Sequence, residues 1–259
     1  MTWQPVDCHA HSTMSDGALA VHEIVERAKQ LGVRPSVSDH ISRDLAVGPR
    51  DIAAVAAYLD ELEKHPVLRA GEFCWHDTLW RELPASLTRR FTHRIGSLHA
   101  VFLADGSLIH AFSRHFPDGL SAATYMDAHV DNLERFAREM PVDILAHPTL
   151  VPLSLRDRAG EELWTEAHET RAVDALRRAG IAMEVSARYP PHERLVQRAA
   201  HAGVRLSLGS DGHAADQVAD VSWPLALTRA IGVRDEDLYD PTVHGSRTGH
   251  FDAATPVGG

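Results

Sequence analysis

Short apolar runs alternate with helix-like patterns along most of this 259-residue chain. Apolar residues recur every three or four positions, the spacing of one helix face, in 19–31, 52–62 and 126–140, and further helices are expected near 160–179, 191–202 and 223–231. Strand-like runs rich in valine, isoleucine and leucine lie between these segments. This alternation predicts a parallel sheet that is covered on both faces.

Glycines mark the expected ends of several helices. Gly32, Gly180 and Gly203 each separate a helical stripe from an apolar run, as in AKQLGVRPSVS, LRRAGIAMEVS and AAHAGVRLSLGS. The chain has about seven strand candidates, which favours a barrel over an open sheet. No linker is visible, so we predict one domain over 1–240, followed by a turn-rich tail over 241–259 that we expect to be poorly ordered.

Two stretches interrupt the alternation. Residues 73–94 contain Trp75 and Trp80 among polar residues, and residues 102–120 are punctuated by glycine and proline. We interpret both as loops or short helices over the mouth of the barrel, where they would shape a substrate pocket. The two cysteines, Cys8 and Cys74, form no disulfide framework; Cys8 is expected in the core, and Cys74 could line a site.

Composition and charge exclude several functions. The chain is 44% hydrophobic and 24% charged, which is ordinary for a globular protein, and its net charge is −10. This acidic balance disfavours nucleic acid and anionic membranes as partners, although bound cations could still attract phosphate. No apolar stretch reaches about 18 residues and the N-terminus lacks a secretory pattern, so we expect a cytoplasmic location and no membrane insertion.

Nine metal-capable side chains lie at or just after the ends of the strand-like runs. The chain has 18 histidines, which is unusually many, and six of them belong to this set. The C-terminal ends of barrel strands meet at one face, so these positions are predicted to converge. The nine residues are His9, His11, Asp16, His40, Glu72, His99, His147, Asp211 and His213.

The residue types and spacings of this set predict a metal site for phosphate chemistry. His9 and His11 are two apart on a strand and project from one face, and Asp211 and His213 repeat that spacing. Imidazole and carboxylate ligands favour zinc, manganese or iron(II). Three divalent ions would exceed the charge of the three carboxylates and match a phosphate dianion. The predicted reaction is in-line attack of a metal-bridging hydroxide on phosphorus.

The motifs that carry these residues resemble the PHP family, named for polymerase and histidinol phosphatase domains. The matching segments, from about residue 6 to residue 230, are HAHSTMSDG, SDH, GEF, IGSLH, DILAHP, EVSAR and GSDGH. The resemblance implies an α/β fold, a distorted (β/α)7 barrel with its metal site at the C-terminal face of the strands. It also implies two or three filled metal sites: His9, His11, Glu72 and Asp211; Glu72, His99 and His147; and Asp16, His40 and His213.

Within this family, the single compact domain and the motif spacing are most similar to histidinol-phosphate phosphatases. This similarity implies a phosphomonoesterase of histidine biosynthesis that acts on a small phosphate ester, with L-histidinol phosphate as the leading substrate. Glu72 and Asp211 would then take part in catalysis through the metals they hold. EVSAR departs from the usual Glu-hydrophobic-Asn stretch of that branch, and residues 73–94 and 102–120 match no recognised pattern.

Other side chains are candidates for contacts with the substrate. Arg188 lies just beyond a strand end, where its planar guanidinium could hold phosphate oxygens, and Arg43 and Arg114 are further candidates. His115 could protonate the leaving alkoxide, although water on the metal could do the same. Ser12 is expected to support the ligands rather than to act as a nucleophile.

Three alternatives to this function remain open. A nucleotide or nucleoside bisphosphate phosphatase, or an exonuclease, of the same family would keep the metal site. Many amidohydrolases with an H-x-H strand need a modified lysine at a strand end, but Lys29 and Lys64 lie in helical patterns. A non-catalytic module is disfavoured because all nine ligand positions are filled. The sequence specifies neither the oligomeric state nor the native metal.

Overall fold

The computed structural model describes residues 3–158 and 162–246. Its strands are short, and most of them end at the face where the candidate ligands lie. They are β1 (Val6–Asp7), β2 (Arg34–Val37), β3 (His40–Ile41), β4 (Leu68–Arg69), β5 (Glu72–Cys74), β6 (Ile95–Ser97), β7 (Ala100–Phe102), β8 (Leu108–His110), β9 (Ile144–Leu145), β10 (Ala182–Ser186) and β11 (Leu206–Gly209).

Seven strand positions form the wall of a barrel. Short breaks divide the second position into β2 and β3, and the third into β4 and β5. All neighbours in the wall are parallel, from β1 through β2 to β4, and from β3 through β5, β6, β9 and β10 to β11. The last position returns to the first: Cys8 N donates to Leu208 O at 2.9 Å, and Ala10 forms a parallel bridge with Gly212. The predicted distorted (β/α)7 barrel is confirmed.

The helices follow the predicted alternation and cover the outside of the strands. They are α1 (Val21–Leu31), α2 (Ile52–Leu62), α3 (Leu79–Glu82), α4 (Ala85–Thr88), α5 (Ala122–Glu139), α6 (Glu166–Ala179), α7 (Glu193–His201), α8 (Ser222–Ala230) and α9 (Pro241–His244), with 3-10 turns at Leu153–Arg158 and Asp235–Asp237. Their apolar stripes are buried, as Ile24 in α1 and Leu59 in α2 illustrate with 0% exposure.

Helix ends show why the chain turns where it does. Gly32 and Gly180 end α1 and α6 in the left-handed conformation, both with φ of 69°, as their positions predicted. Thr165 begins α6, because its hydroxyl accepts a hydrogen bond from His168 N. This helix therefore starts later than the predicted boundary near residue 160, and residues 159–161 lie outside the described part of the chain.

Buried side chains form two groups. The larger group packs the helices against the outer faces of the strands. The smaller group includes Val6, Ile95, Ile144 and Ala182, which come from strand positions around the ring, together with Tyr239. Because these strands are not all neighbours, their side chains can meet only in the interior of the barrel. The barrel is a packed core with its polar cluster at one end.

The stretch 102–120 is more regular than predicted. Its residues 108–110 form β8, which pairs antiparallel with β7. The turn of this hairpin contains Gly106 with φ of 84°, a conformation that glycine adopts without strain. Strands of three residues are too short to show an alternating pattern, so the hairpin was not predicted. The stretch 73–94 holds the short helices α3 and α4, in agreement with the interpretation of that stretch.

The sequence also led to expectations about membrane insertion and about the C-terminal tail. No helix in residues 3–158 and 162–246 has the length and apolar character needed to cross a membrane. The predicted tail begins with the single turn of α9, and the tail from residue 247 onward lies outside the described residues. The expectation that the tail is poorly ordered therefore stays a prediction.

Candidate metal centre

The nine side chains predicted as metal ligands meet at the C-terminal ends of the barrel strands. Their positions follow from the strand order, because six of the seven wall positions, all except β10, contribute one or more of them. All except Asp16, whose side chain is 37% exposed, are largely buried. They are His9 and His11 after β1, Asp16 in the following loop, His40 at the start of β3, Glu72 at the start of β5, His99 after β6, His147 after β9, and Asp211 and His213 after β11.

Glu72 lies at the centre of this cluster. Its Oε1 atom is 3.0 Å from His147 Nε2 and 3.2 Å from His99 Nε2. Its Oε2 atom is 2.7 Å from His40 Nδ1 and 3.6 Å from His9 Nε2. The two oxygens thus face different sets of imidazoles, which is the arrangement that a carboxylate bridging two ions requires.

Three groups of these side chains have ligand atoms close enough together to hold an ion. Each group overlaps one predicted site without matching it. His40 stands with Glu72 and His99 in place of His147, and Glu72 is missing from the group of His9, His11 and Asp211. His11 joins the predicted set around Asp16, so His11 and His40 both belong to two groups. The groups are His9, His11 and Asp211; His40, Glu72 and His99; and His11, Asp16, His40 and His213. Which ion each side chain holds stays a prediction.

Several buried ligand atoms have no hydrogen-bond partner among the described residues. They include His11 Nδ1, His40 Nδ1 and Glu72 Oε2. The last two lie 2.7 Å apart. Burying polar atoms without partners is costly, and lone pairs that converge on one point are expected where a cation binds. The donor set of imidazoles and carboxylates without thiolate therefore fits divalent ions such as zinc, manganese or iron.

Burial and neighbouring charges set the protonation of the metal-free cluster. Burial alone would raise the pKa of Glu72, but the adjacent imidazoles of His99, His40 and His9 lower it well below its usual range. Burial opposes the charged form of His40, but the Glu72 and Asp16 carboxylates raise the pKa of His40 to about 10. Burial lowers the pKa of His11 to about 3. The cluster thus keeps Glu72 charged and His40 protonated at neutral pH.

Glu184, inside β10, is a residue that the sequence prediction missed. Its carboxylate is buried, with 1% exposure. Oε1 is 2.8 Å from His9 Nδ1, and Oε2 accepts a hydrogen bond from His147 N at 2.6 Å. The available signal was a charged residue within the apolar strand AMEVS, because an ionised side chain is rarely buried without partners.

Two aspartates brace the loops that carry the ligands. Asp39 accepts hydrogen bonds from Ser12 N at 2.8 Å and Ser12 Oγ at 2.6 Å. Asp7 binds Ser210 in the same way, with distances of 2.8 Å and 2.6 Å. Burial raises the pKa of both aspartates to about 6. The contact of Ser12 agrees with its interpretation as a supporting residue.

Cys74 contacts the cluster through His99, on the side away from the cavity. Its Sγ atom is 3.2 Å from His99 Nδ1, and the residue is fully buried. Burial raises the pKa of the thiol further above its already high value. Cys74 therefore contacts a candidate ligand as a thiol but does not face the cavity, and Cys8 lies in the core as expected.

A cavity of ≈ 360 Å³ opens above the cluster. Seven of the nine candidate ligands line it, together with Arg188 and Tyr189. The Arg188 guanidinium lies 5.7 Å from the centre of the Tyr189 ring and donates to Gln217 Oε1 at 2.9 Å. The structure therefore brings Arg188 to the site, where it lines the same cavity as the candidate ligands.

Three other predicted residues are not brought to the site. Arg43, Arg114 and His115 are absent from the described residues that line the cavity. The Arg43 guanidinium instead pairs with both carboxylate oxygens of Glu82 at 2.6 Å. Arg114 and His115 are exposed in the connection after β8. All three residues lie in irregular segments, where the sequence has no periodic pattern to show whether a side chain faces the cavity or the solvent.

A second arginine near the cavity was missed. The Arg156 guanidinium lies 5.3 Å from the ring centres of both Phe112 and Tyr189, two residues of the cavity wall. A recess beside the cavity is lined by Arg156 and shares Arg188 with it. Nothing in the sequence around the 3-10 turn that carries Arg156 indicated this position.

The fold and the cluster define a (β/α)7 barrel with a multi-residue candidate metal centre at the C-terminal ends of its strands. No protein-family model matches the sequence, and no curated protein matches it. Solved structures of the same fold were found. A protein assigned as a histidinol phosphatase from Listeria monocytogenes is 14% identical with a TM-score of 0.64, covering 83% of this chain and 97% of that one.

A histidinol phosphate phosphatase from Lactococcus lactis, complexed with zinc, L-histidinol and phosphate, is 15% identical with a TM-score of 0.65. The match covers 90% of this chain and 95% of that chain. The chain is thus similar in fold, over nearly its whole length, to two proteins described as histidinol phosphatases. The fold implied by the resemblance to the PHP family is confirmed.

Proposed function

We propose that this protein is a metal-dependent phosphomonoesterase. The observation that carries the proposal is the convergence of six imidazoles and three carboxylates at the mouth of the barrel, next to Arg188. The reaction would be attack of water on phosphorus with cleavage of the phosphorus–oxygen ester bond, which yields an alcohol and inorganic phosphate. Three bound divalent ions would exceed the charge of the three carboxylates, and that positive surplus would match a phosphate dianion.

The residues of the chain have separable tasks in this proposal. The nine side chains would hold two or three divalent ions, and Glu72 would bridge two of them. Bound ions supply activation of water and stabilisation of charge on the phosphoryl group. Arg188 would orient the phosphate through its planar fork of donors, and burial of the cluster limits competition from solvent.

We further propose L-histidinol phosphate as the leading substrate, as expected for an enzyme of histidine biosynthesis. The support is the similarity in fold to the Lactococcus lactis protein, whose structure contains L-histidinol and phosphate together with zinc. The cavity of ≈ 360 Å³ has room for an alcohol of that size beside the phosphate. The nucleotide alternative would use the same cluster.

Phosphate release from a panel of monoesters tests both levels of the proposal. The panel contains histidinol phosphate, nucleoside monophosphates and nucleoside bisphosphates, with manganese, zinc or iron supplied. A dominant rate on histidinol phosphate would support the substrate. Fast release from nucleotides alone would contradict the substrate but keep the class of reaction, and no release from any ester would contradict the enzyme.

Glu72→Gln tests the cluster directly. The substitution preserves size but removes the charge that faces five imidazoles, so we expect activity to fall by at least about 1000-fold, or about 4 kcal/mol in the activation barrier. Circular dichroism should show that the barrel remains folded. Near-normal turnover by a folded variant would exclude Glu72 from the metal centre.

A further inference from the structure

The carboxylate of Glu184 contacts two candidate ligands that belong to different predicted metal sites. One oxygen faces the His9 imidazole at 2.8 Å, and the other accepts the backbone N–H of His147 at 2.6 Å. Both acceptor atoms are therefore in use, and 1% exposure leaves little access for water. Glu184 is not itself close enough to other donors to belong to any of the three ligand groups.

The contact with His9 crosses a strand. Glu184 lies on β10, β11 is the next strand, and His9 follows β1 on the far side of β11. Gly209 of β11 leaves the space for this contact. A Cβ atom at residue 209 would lie 1.9 Å from Glu184 Oε1 and 3.0 Å from His9 Cβ. The first distance is shorter than packed atoms allow, so the Glu184 carboxylate would have to move away.

The contact with His147 supports an unusual backbone. His147 has φ of 27°, in the left-handed region that residues other than glycine rarely adopt. A charged acceptor on its N–H stabilises that conformation, because hydrogen bonds to ionised groups are stronger than those between neutral groups. The backbone conformation in turn directs the His147 imidazole, whose Nε2 atom lies 3.0 Å from Glu72 Oε1.

We propose that Glu184 is a positioning residue that orients ligands of two metal ions at once. It holds the proton of His9 on Nδ1, which leaves the Nε2 lone pair directed at the cluster, and it fixes the backbone from which His147 reaches the second ion. The inference rests on the metal centre of the proposed function but not on the identity of the substrate.

Glu184→Gln tests this role because an amide offers one acceptor and one donor. If the amide oxygen accepts from His147, the NH2 group faces His9 Nδ1 and drives the His9 proton to Nε2, where it blocks a metal. If the amide is reversed, two donors meet at the His147 N–H. Either orientation should weaken metal binding by about 10- to 100-fold.

Two further variants separate positioning from general stability. Glu169→Gln is the matched control, because Glu169 is also fully buried but pairs with Arg194 and Arg198 away from the cavity. It should lower stability without changing metal affinity. Gly209→Ala keeps every charge but displaces Glu184, so it should reproduce the loss of metal affinity seen with Glu184→Gln.

Zinc affinity is measured by dialysis at defined free zinc with elemental analysis, and ligand geometry by the visible absorption of the cobalt-substituted protein. Weaker zinc binding and an altered cobalt spectrum in Glu184→Gln, but not in Glu169→Gln, would support the proposal. Wild-type affinity and spectrum in Glu184→Gln would overturn it. Substrate is absent from both measurements, so failure of the proposed reaction would be recognised separately, as intact metal binding without phosphate release.

Discussion

Arg188 is the predicted substrate contact whose position agrees with its proposed task. Arg188→Ala removes charge-assisted donors from the cavity wall, so we expect kcat/KM for phosphate esters to fall by about 10- to 100-fold. Arg188→Lys keeps the charge but not the planar fork, and it should recover only part of that loss. Steady-state kinetics on the preferred ester measures both effects.

The control for Arg188 is an arginine of the outer surface. Arg138 pairs with Glu139 on α5 and is 66% exposed, so Arg138→Ala should leave kcat/KM within about twofold of wild type. Equal rates for Arg188→Ala and Arg138→Ala would remove Arg188 from substrate binding. Arg156, on the same rim, would then be the next arginine to test.

Local sequence pattern locates ligands better than it locates the residues that support them. His9, His11 and Glu72 could be found because each ends an apolar run, and strand ends of a barrel converge whatever the detailed geometry. Glu184 contacts His9 across the intervening strand β11. That contact depends on the small size of Gly209 and on closure of the barrel between β11 and β1, which no local pattern shows. Arg43 illustrates the converse, because its partner Glu82 lies on α3, in a stretch whose short helices were expected but whose contacts were not.

Packing between β6 and α5 depends on the absence of a side chain at Gly96. A Cβ atom there would lie 2.5 Å from the Phe136 ring and 3.1 Å from Met140 Sδ. We expect Gly96→Ala to destabilise the fold by about 1–3 kcal/mol, because the buried ring of Phe136 must shift in a close-packed layer. Urea unfolding of the metal-free protein measures the free energy.

Ser207→Ala, in β11, provides the comparison for Gly96→Ala. The Ser207 hydroxyl is buried and has no partner among the described residues, so its removal should change stability by less than about 0.5 kcal/mol or increase it. The double variant Gly96→Ala, Phe136→Leu should lose less than the two single changes added together, because the smaller side chain makes room. Strict additivity would contradict a direct clash.

Elements with strong local signals were predicted and those without them were not. The helix–Gly–strand units gave α1, α6 and the strands after them, since a left-handed glycine and an apolar stripe are both visible in sequence. The β7–β8 hairpin is stabilised by pairing between two three-residue strands, too short for a periodic pattern. The late start of α6 depends on Thr165, a single cap within a polar stretch.

The barrel brings together charges that would not share a small volume in a protein without bound cations. Nine metal-capable groups and the acceptor Glu184 meet at one end of an otherwise apolar interior. In the metal-free protein, the positive charge of protonated His40 partly neutralises these carboxylates. Glu72 and Asp16 stabilise that proton and raise the pKa of His40 to about 10. A metal ion and a proton must therefore compete for the same imidazole.

Zinc binding should release protons from the metal-free protein. At pH 8 the imidazole of His40 lies below its raised pKa of about 10, so it carries a proton that it must lose to bind zinc. Burial of His9 is outweighed by Glu184, Asp211 and Glu72, which raise the pKa of His9 well above its usual value, so His9 shifts the release in the same direction. We expect release of at least about one proton per protein from these groups, detected with an indicator dye in weakly buffered solution.

The sign of this linkage fixes the pH dependence of metal affinity. A group with a raised pKa keeps its proton until the pH rises through that value, so zinc affinity should increase steadily from pH 6 to pH 9. Glu72→Gln removes the nearest charge that stabilises the His40 proton, so this variant should release about one proton fewer than wild type. Tight zinc binding with no proton release at pH 8 would show that His40 is neutral before the metal arrives.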